Sequence, residues 1–287
     1  MAGSVTGLLR AAPLALALSA LAFVTASAGT LDRLRQDKTI RLGVREDAPP
    51  HSFKAANGQP AGFMVDLCRK VATDLAAQLN LNELTIAFVP VTAENRFEAI
   101  ESGKADLLCE PTTDTLSRRQ KVDFSIPTFV DGASLLVTGD GPKDLNGLAG
   151  RKIGVLAGTT TEQRLRDTLK AANIAADVSP AKTHAEGLKM LETGAISAYF
   201  ADRAILGYLA SISSAADKLR LADNYLSLEP YALALPRGDS DFRLAVDRAL
   251  SRIYKSGDIV AIFAGTFGQM QPTDTLKTLY LISALPD

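Results

Sequence analysis

Lys152-Ile-Gly-Val-Leu-Ala-Gly-Thr-Thr-Thr-Glu162 carries the clearest fold signal in the chain. Lys152 to Leu156 is short and mostly apolar, so it reads as a buried strand. Gly158-Thr-Thr-Thr161 then supplies a turn and capping hydroxyls, and a helix is predicted over Glu162 to Ala172. Downstream, Ala185 to Thr193 reads as a helix closed by Gly194, and Ala198-Tyr-Phe200 as a strand with Asp202 just beyond it. The same order stands upstream. Thr39-Ile-Arg-Leu-Gly-Val44 alternates like a strand, and Phe63, Leu67, Val71 and Leu75 mark one face of a helix to Leu79. Leu84 to Val89 is a strand, Arg96 to Ser102 a helix capped by Gly103, and Ala105 to Cys109 another strand. Ala133 to Val137 leads into the turn Gly139-Asp-Gly-Pro142 that separates the two series. Tyr231 to Leu235 adds a late strand and Asp241 to Ser256 an amphipathic helix ended by Gly257, after which no period is clear. Strands alternating with helices twice over predict two α/β units. Glu98 to Asp106 also echoes Gly187 to Ala195 and the strand beyond it, each a helix, a glycine and a strand, although any unit of that kind would look similar.

The first 28 residues read as a leader rather than as mature protein. Arg10 is the only charge before Asp32, and the apolar run Ala11 to Ala26 is followed by Ala26-Ser-Ala28, small residues where a signal peptidase cuts. The alternative, a membrane anchor, would need a longer and less alanine-rich core. Export to the periplasm is therefore expected. Removing the leader takes away Arg10 alone, so 31 basic residues become 30 against 32 acidic ones. That near balance argues against nucleic acid as a partner. The two His, His51 and His184, and the two Cys, Cys68 and Cys109, lack the short spacings of a zinc site of the Cys/His kind, and no metal or other cofactor is expected.

A set of landmarks runs through the mature chain: Gly62-Phe-Met-Val-Asp66, Asn95-Arg96, Ser102-Gly-Lys-Ala-Asp106, Thr112-Thr-Asp-Thr-Leu-Ser-Arg118 and Val122-Asp-Phe-Ser125. The second half adds Gly158-Thr-Thr160, Ala198 to Asp202, Glu229-Pro-Tyr-Ala232 and Gly265-Thr-Phe-Gly268. In order and spacing these resemble the bacterial extracellular solute-binding proteins of family 3, the polar amino-acid receptors of ABC importers. The resemblance implies a type II periplasmic-binding-protein fold, two lobes that each hold a mixed sheet flanked by helices. Lobe one would take residues 29–137 and, with C-terminal helices, 229–287; lobe two would take 138–228. A ligand would lie between lobes that close by a hinge.

The resemblance also implies a division of labour in the cleft. A free amino acid carries a carboxylate, an ammonium and a side chain. Arg118 offers the planar fork that suits the carboxylate, and Thr113 adds a hydroxyl or backbone N–H. Thr159 and Thr160 bring helix-terminal N–H groups to the same carboxylate, if they are more than an ordinary cap. Asp202 and the carbonyl of Pro111 would accept from the ammonium. Arg45, Arg96 and His184 match the side-chain pocket of glutamate/aspartate receptors. Here the chain departs from that pattern: Ala93 stands where Ser is expected, and Glu110-Pro111 where Gly-Ser is expected. Glu110 could neutralise one arginine, so acidic, polar and basic ligands stay open. Simpler readings make Arg118 a solvated charge, Asp202 a partner of Arg203, and Arg96 a structural ion-pair residue.

The resemblance implies a monomeric receptor that gives a free amino acid to the permease of an ABC transporter. Two competitors remain. A periplasmic dehydratase-like enzyme of the same fold would need a general acid, for which Glu110 and His184 are the candidates. A ligand-sensing receptor domain would need an anchor or a fused kinase. A disulfide is expected between Cys68, on the first long helix, and Cys109, at the end of a strand that this helix would cover. Export supplies the oxidant. Two separate buried thiols are the alternative.

Overall fold

The computed structural model describes residues 1–4, 29–139, 141–142, 144–222 and 226–286. The expected leader lies outside the described residues from position 5 to 28. In chain order the elements begin with helix α1 (Thr30–Asp37), strand β1 (Thr39–Arg45) and three short strands, β2 (Asp47–Ala48), β3 (Ser52–Lys54) and β4 (Pro60–Ala61). Helix α2 (Phe63–Gln78), β5 (Thr85–Val91), α3 (Arg96–Glu101), β6 (Leu107–Leu108), β7 (Asp123–Asp131) and β8 (Ala133–Thr138) come next. Then come β9 (Lys152–Leu156), α4 (Thr160–Ala171), β10 (Asp177–Ala181), α5 (His184–Glu192), β11 (Ala198–Asp202), α6 (Arg203–Ile212) and β12 (Leu219–Leu221). The chain ends in β13 (Glu229–Leu235), α7 (Ser240–Ser256), α8 (Asp258–Phe267) and α9 (Asp274–Ser283). No helix among the described residues is long and apolar enough to cross a membrane.

The echo seen in the sequence is a repeat of topology. One parallel sheet has the order β5-β1-β6, and the other contains β10-β9-β11. Each series is therefore strand–helix–strand–helix–strand with its first strand in the centre. Both glycines that end the echoed helices, Gly103 and Gly194, take positive φ, at 68° and 72°. In this arrangement ligands settle at the C-terminal edges of the parallel strands, where the connections diverge.

Lobe two shows how side-chain alternation builds two cores on one sheet. Leu135 and Val137 of β8 and Phe200 of β11 pack with Leu165 and Leu169 of α4. Their neighbours Leu136 and Tyr199 turn to the other face and meet Leu188 and Leu191 of α5 and Leu206 and Leu209 of α6. That is the period-two pattern of a strand. In lobe one, Leu67, Val71 and Leu75 of α2 join Leu42 of β1, Leu233 of β13 and Val246 and Leu250 of α7 in a single core. Cys68 and Cys109 are joined there by a disulfide, with Cα atoms 6.0 Å apart.

The structure differs from the sequence expectation, which also left α1, β2–β4, α6 and β12 unread. Strand β8 pairs with β11 and β12, so it belongs to the second sheet, and the chain crosses between lobes at Asp131–Ala133 rather than after residue 137. No strand is read from the sequence over β7 or β10, and each contains a proline, Pro127 and Pro180. Both sit where proline is tolerated: β10 is an edge strand, and β7 pairs only with β13. His51, which no motif claims, is fully buried among Phe63, Phe129, Tyr231 and Phe267, where burial holds its pKa down to about 3.

Candidate functional site

The C-terminal edges of the two parallel sheets face each other across a cavity. Lobe one contributes Arg45 from the end of β1, Arg96 from the start of α3, Pro111 and Thr113 from the loop after β6, and Arg118. Lobe two contributes Thr159 and Thr160 from the turn into α4, His184 from the start of α5, and Asp202 from the end of β11. All nine positions singled out in the sequence therefore line one space. They converge because each comes after a parallel strand or opens the helix beyond one.

The arginines differ in how they are held. Arg45 is 3 % exposed and is paired with Asp47, through Nε at 2.9 Å and through its terminal nitrogen at 2.7 Å. Arg96 donates to the carbonyl of Ala93 at 2.8 Å, and its Nε lies 3.5 Å from Glu110. Burial lowers the Arg96 pKa to about 10, against the opposing pull of Glu110. Glu110 is completely buried, and burial pushes its carboxyl up although Arg96 and Arg45 pull it down. It is not among the residues lining the cavity, so it acts on Arg96 from behind. Arg118 donates to the carbonyl of Thr113 at 2.8 Å, and its guanidinium lies 5.3 Å from the centre of the Phe97 ring, near Arg96 at 4.9 Å from the same ring.

On the lobe-two wall, Thr159 caps α4. Its hydroxyl accepts from the Glu162 N–H at 3.1 Å and donates to the Leu156 carbonyl at 2.8 Å. The cap leaves the side chain no proton for a ligand, so what Thr159 and Thr160 offer the cavity is helix-terminal backbone. Glu162 also reaches back to the N–H of Gly158 at 3.0 Å, in the reciprocal manner of a capping box. His184 meets the Tyr199 hydroxyl through Nδ1 at 3.0 Å, and burial keeps its pKa well below the usual imidazole value. Gly187 makes this possible, since a Cβ there would fall 2.1 Å from the Tyr199 ring. Asp202 accepts from Thr161 at 3.2 Å, and burial, with the charges of Glu229 and Asp131, pushes its carboxyl up to about 8.

The chain matches the model of the bacterial extracellular solute-binding proteins, family 3, over residues 40–269. It belongs to that family. Among relatives of this solute-binding protein is the L-glutamate/L-aspartate-binding protein of Pseudomonas aeruginosa, 31% identical over 278 residues that cover 96% of this chain and 92% of the relative. The glutamate/aspartate import solute-binding protein of Escherichia coli is 28% identical over 90% of this chain and 86% of its own. A solved structure, an ancestral arginine-binding protein bound to glutamine, superimposes with a TM-score of 0.73 at 29% identity, covering 81% of this chain and 99% of that one.

Other residues of this family member shape the site without having been singled out. Thr161, Leu156, Phe200, Ala201 and Ile205 line the cavity. Thr161 comes directly after the threonine pair, so its place in the run was the available signal. The apolar four look like any core residues in sequence. Glu229 stood in a landmark but had no role assigned, and it proves to bind the hydroxyls of both Thr113 and Thr160.

Proposed function

We propose that this solute-binding protein captures a free amino acid with an acidic or polar side chain in the periplasm and delivers it, as a monomer, to the permease of an ABC importer. The observation that carries this reading is the disposition of charge in one cavity. Arg118 and the α4 terminus converge where a carboxylate would sit, and Asp202 with Pro111 lies where an ammonium would. Arg45, Arg96 and His184 remain for the side chain. The glutamate- and aspartate-binding names of two relatives point the same way. The leader expected over residues 1–28 supplies the route of export. As an enzyme the cavity is poorly equipped: Glu110 lies behind Arg96 rather than on the wall, and His184 has Nδ1 engaged by Tyr199. A thermal-shift screen of the common L-amino acids tests the reading. At least one should bind with micromolar Kd or tighter, about −8 kcal/mol, and raise the melting temperature. No shift with any of them would refute it.

Glu110→Gln tests how the side-chain pocket is tuned. It replaces the buried carboxyl beside Arg96 with an uncharged amide of the same size. Glutamate or aspartate should then gain on its own amide by roughly tenfold, about 1.4 kcal/mol at the distance of one guanidinium. Competition calorimetry with the acid and amide pair reads this directly. An unchanged ratio would make Glu110 purely structural.

Binding should also be linked to protons through Asp202. A ligand ammonium favours the ionised carboxylate, so its pKa falls on binding from about 8. Between the bound and free values the free protein holds a proton that the complex gives up. Affinity therefore rises with pH toward 8, by at most about tenfold per unit, and flattens above it. Titrations at pH 7 in buffers of different ionisation enthalpy should show proton release, and Asp202→Asn should abolish it.

A further inference from the structure

Glu229 ties the two lobes together without touching the cavity. It opens β13, opposite Asp131 at the end of β7, so it sits where the chain passes between lobes. One carboxylate oxygen, Oε2, accepts from the Thr113 hydroxyl at 2.6 Å and from the Thr160 hydroxyl at 2.7 Å. Thr113 belongs to the lobe-one loop after β6, and Thr160 to the lobe-two helix α4. The other oxygen, Oε1, accepts from Ser227 at 2.8 Å, and the Ser227 oxygen in turn accepts from the Ala133 N–H at 2.9 Å. Glu229 is 4 % exposed and does not line the cavity.

These contacts fix what each hydroxyl can do. A threonine has one hydroxyl proton. With the protons of Thr113 and Thr160 both given to Glu229, neither hydroxyl can donate to a ligand. Their part is then closure, and the ligand meets backbone N–H groups instead. Hydrogen bonds to a buried carboxylate are among the stronger ones. Because Thr160 moves with lobe two, opening the cleft must break its bond to Glu229 or drag the crossover strand with it.

We propose that Glu229 is an interlobe latch, a positioning residue that joins Thr113 and Thr160 when the cleft closes and so sets how slowly a bound amino acid escapes. The proposal rests on the amino-acid-binding reading above. It assigns the latch to release rather than capture, since lobe two cannot move away from Thr113 until the bond from Thr160 to Glu229 breaks.

The test compares Glu229→Asp, Glu229→Ala and Glu229→Gln by stopped-flow ligand binding, using the amino acid that gives the largest thermal shift. Aspartate keeps the charge but is one methylene too short to reach both hydroxyls. Glutamine keeps the reach, and its carbonyl can accept from both. Asp and Ala variants should release ligand roughly 30-fold faster, the loss of one to two charge-assisted bonds, with association changed less than about threefold. Gln should stay within about fivefold of wild type. Small-angle scattering at saturating ligand should show a larger radius of gyration for Asp and Ala than for Gln. A merely structural role would instead lower the melting temperature of the ligand-free protein and leave the release rate alone. If the Ala variant fails to fold, the Asp and Gln pair decides alone. Wild-type release rates in the Asp variant, with ligand still bound, overturn the latch and leave the binding function standing. A wild-type protein that binds no amino acid overturns both.

Discussion

Arg118→Ala is expected to weaken amino-acid binding by roughly two orders of magnitude, about 3 kcal/mol, because it leaves a desolvated carboxylate without its cation. Arg118 is the arginine best placed for that role. Arg45 is engaged twice by Asp47, and Arg96 has Glu110 behind it, whereas the Arg118 side chain is anchored by the single neutral carbonyl of Thr113. Burial lowers its pKa, offset by the charges of Glu110, Glu229 and Asp202, so the guanidinium is already partly desolvated before a ligand arrives. Arg118→Lys should recover only part of the loss, since an ammonium cannot make the bidentate fork. Isothermal calorimetry on the three proteins gives the result, and an alanine variant binding within threefold of wild type would remove Arg118 from the carboxylate site.

Removing the Cys68–Cys109 disulfide should cost about 4 kcal/mol of stability, the chain-entropy value for a sequence separation of 41 residues. For a protein of this size that is on the order of 10 °C in Tm. Both cysteines are fully buried, so the paired change Cys68→Ala with Cys109→Ala avoids placing a polar group in the core. The bond also holds Cys109, just beyond β6, one residue from Glu110 and two from Pro111. A smaller loss of affinity should accompany the loss of Tm as that loop loosens. Scanning calorimetry with and without ligand separates the two effects. A Tm drop under about 2 °C would show that the crosslink constrains little beyond what α2 packing already does.

The features that depend on local chemistry were legible in the sequence. The alternation of Thr39 to Val44 and the short apolar run Lys152 to Leu156 marked strands, and the Phe63–Leu67–Val71–Leu75 spacing marked α2, because burying a continuous apolar face is the main driving force for either element. Glycines able to take positive φ marked the helix ends at Gly103, Gly194 and Gly257. The candidate site was legible for a related reason. Its members come after strands or begin helices, positions that the chain's own punctuation reveals.

Other features are set by contacts between residues far apart in the chain, and these appeared only in the folded molecule. Strand β8 went to the second sheet because its partners are β11 and β12, a pairing that no local pattern encodes. Pro127 and Pro180 stand in two strands that the sequence reading left out, and their edge or two-stranded settings spare the missing N–H. Glu110 could be read as a charge near an arginine, but its place behind Arg96 rather than in the cavity depends on how β6 and α3 pack. Glu229 reads as an ordinary strand-opening residue. It becomes a junction only when a loop 116 residues before it and a helix 69 residues before it bring their threonine hydroxyls to the same oxygen. Hydrogen-bond partners at such separations are fixed by the closure of the whole fold, and no sequence period records them.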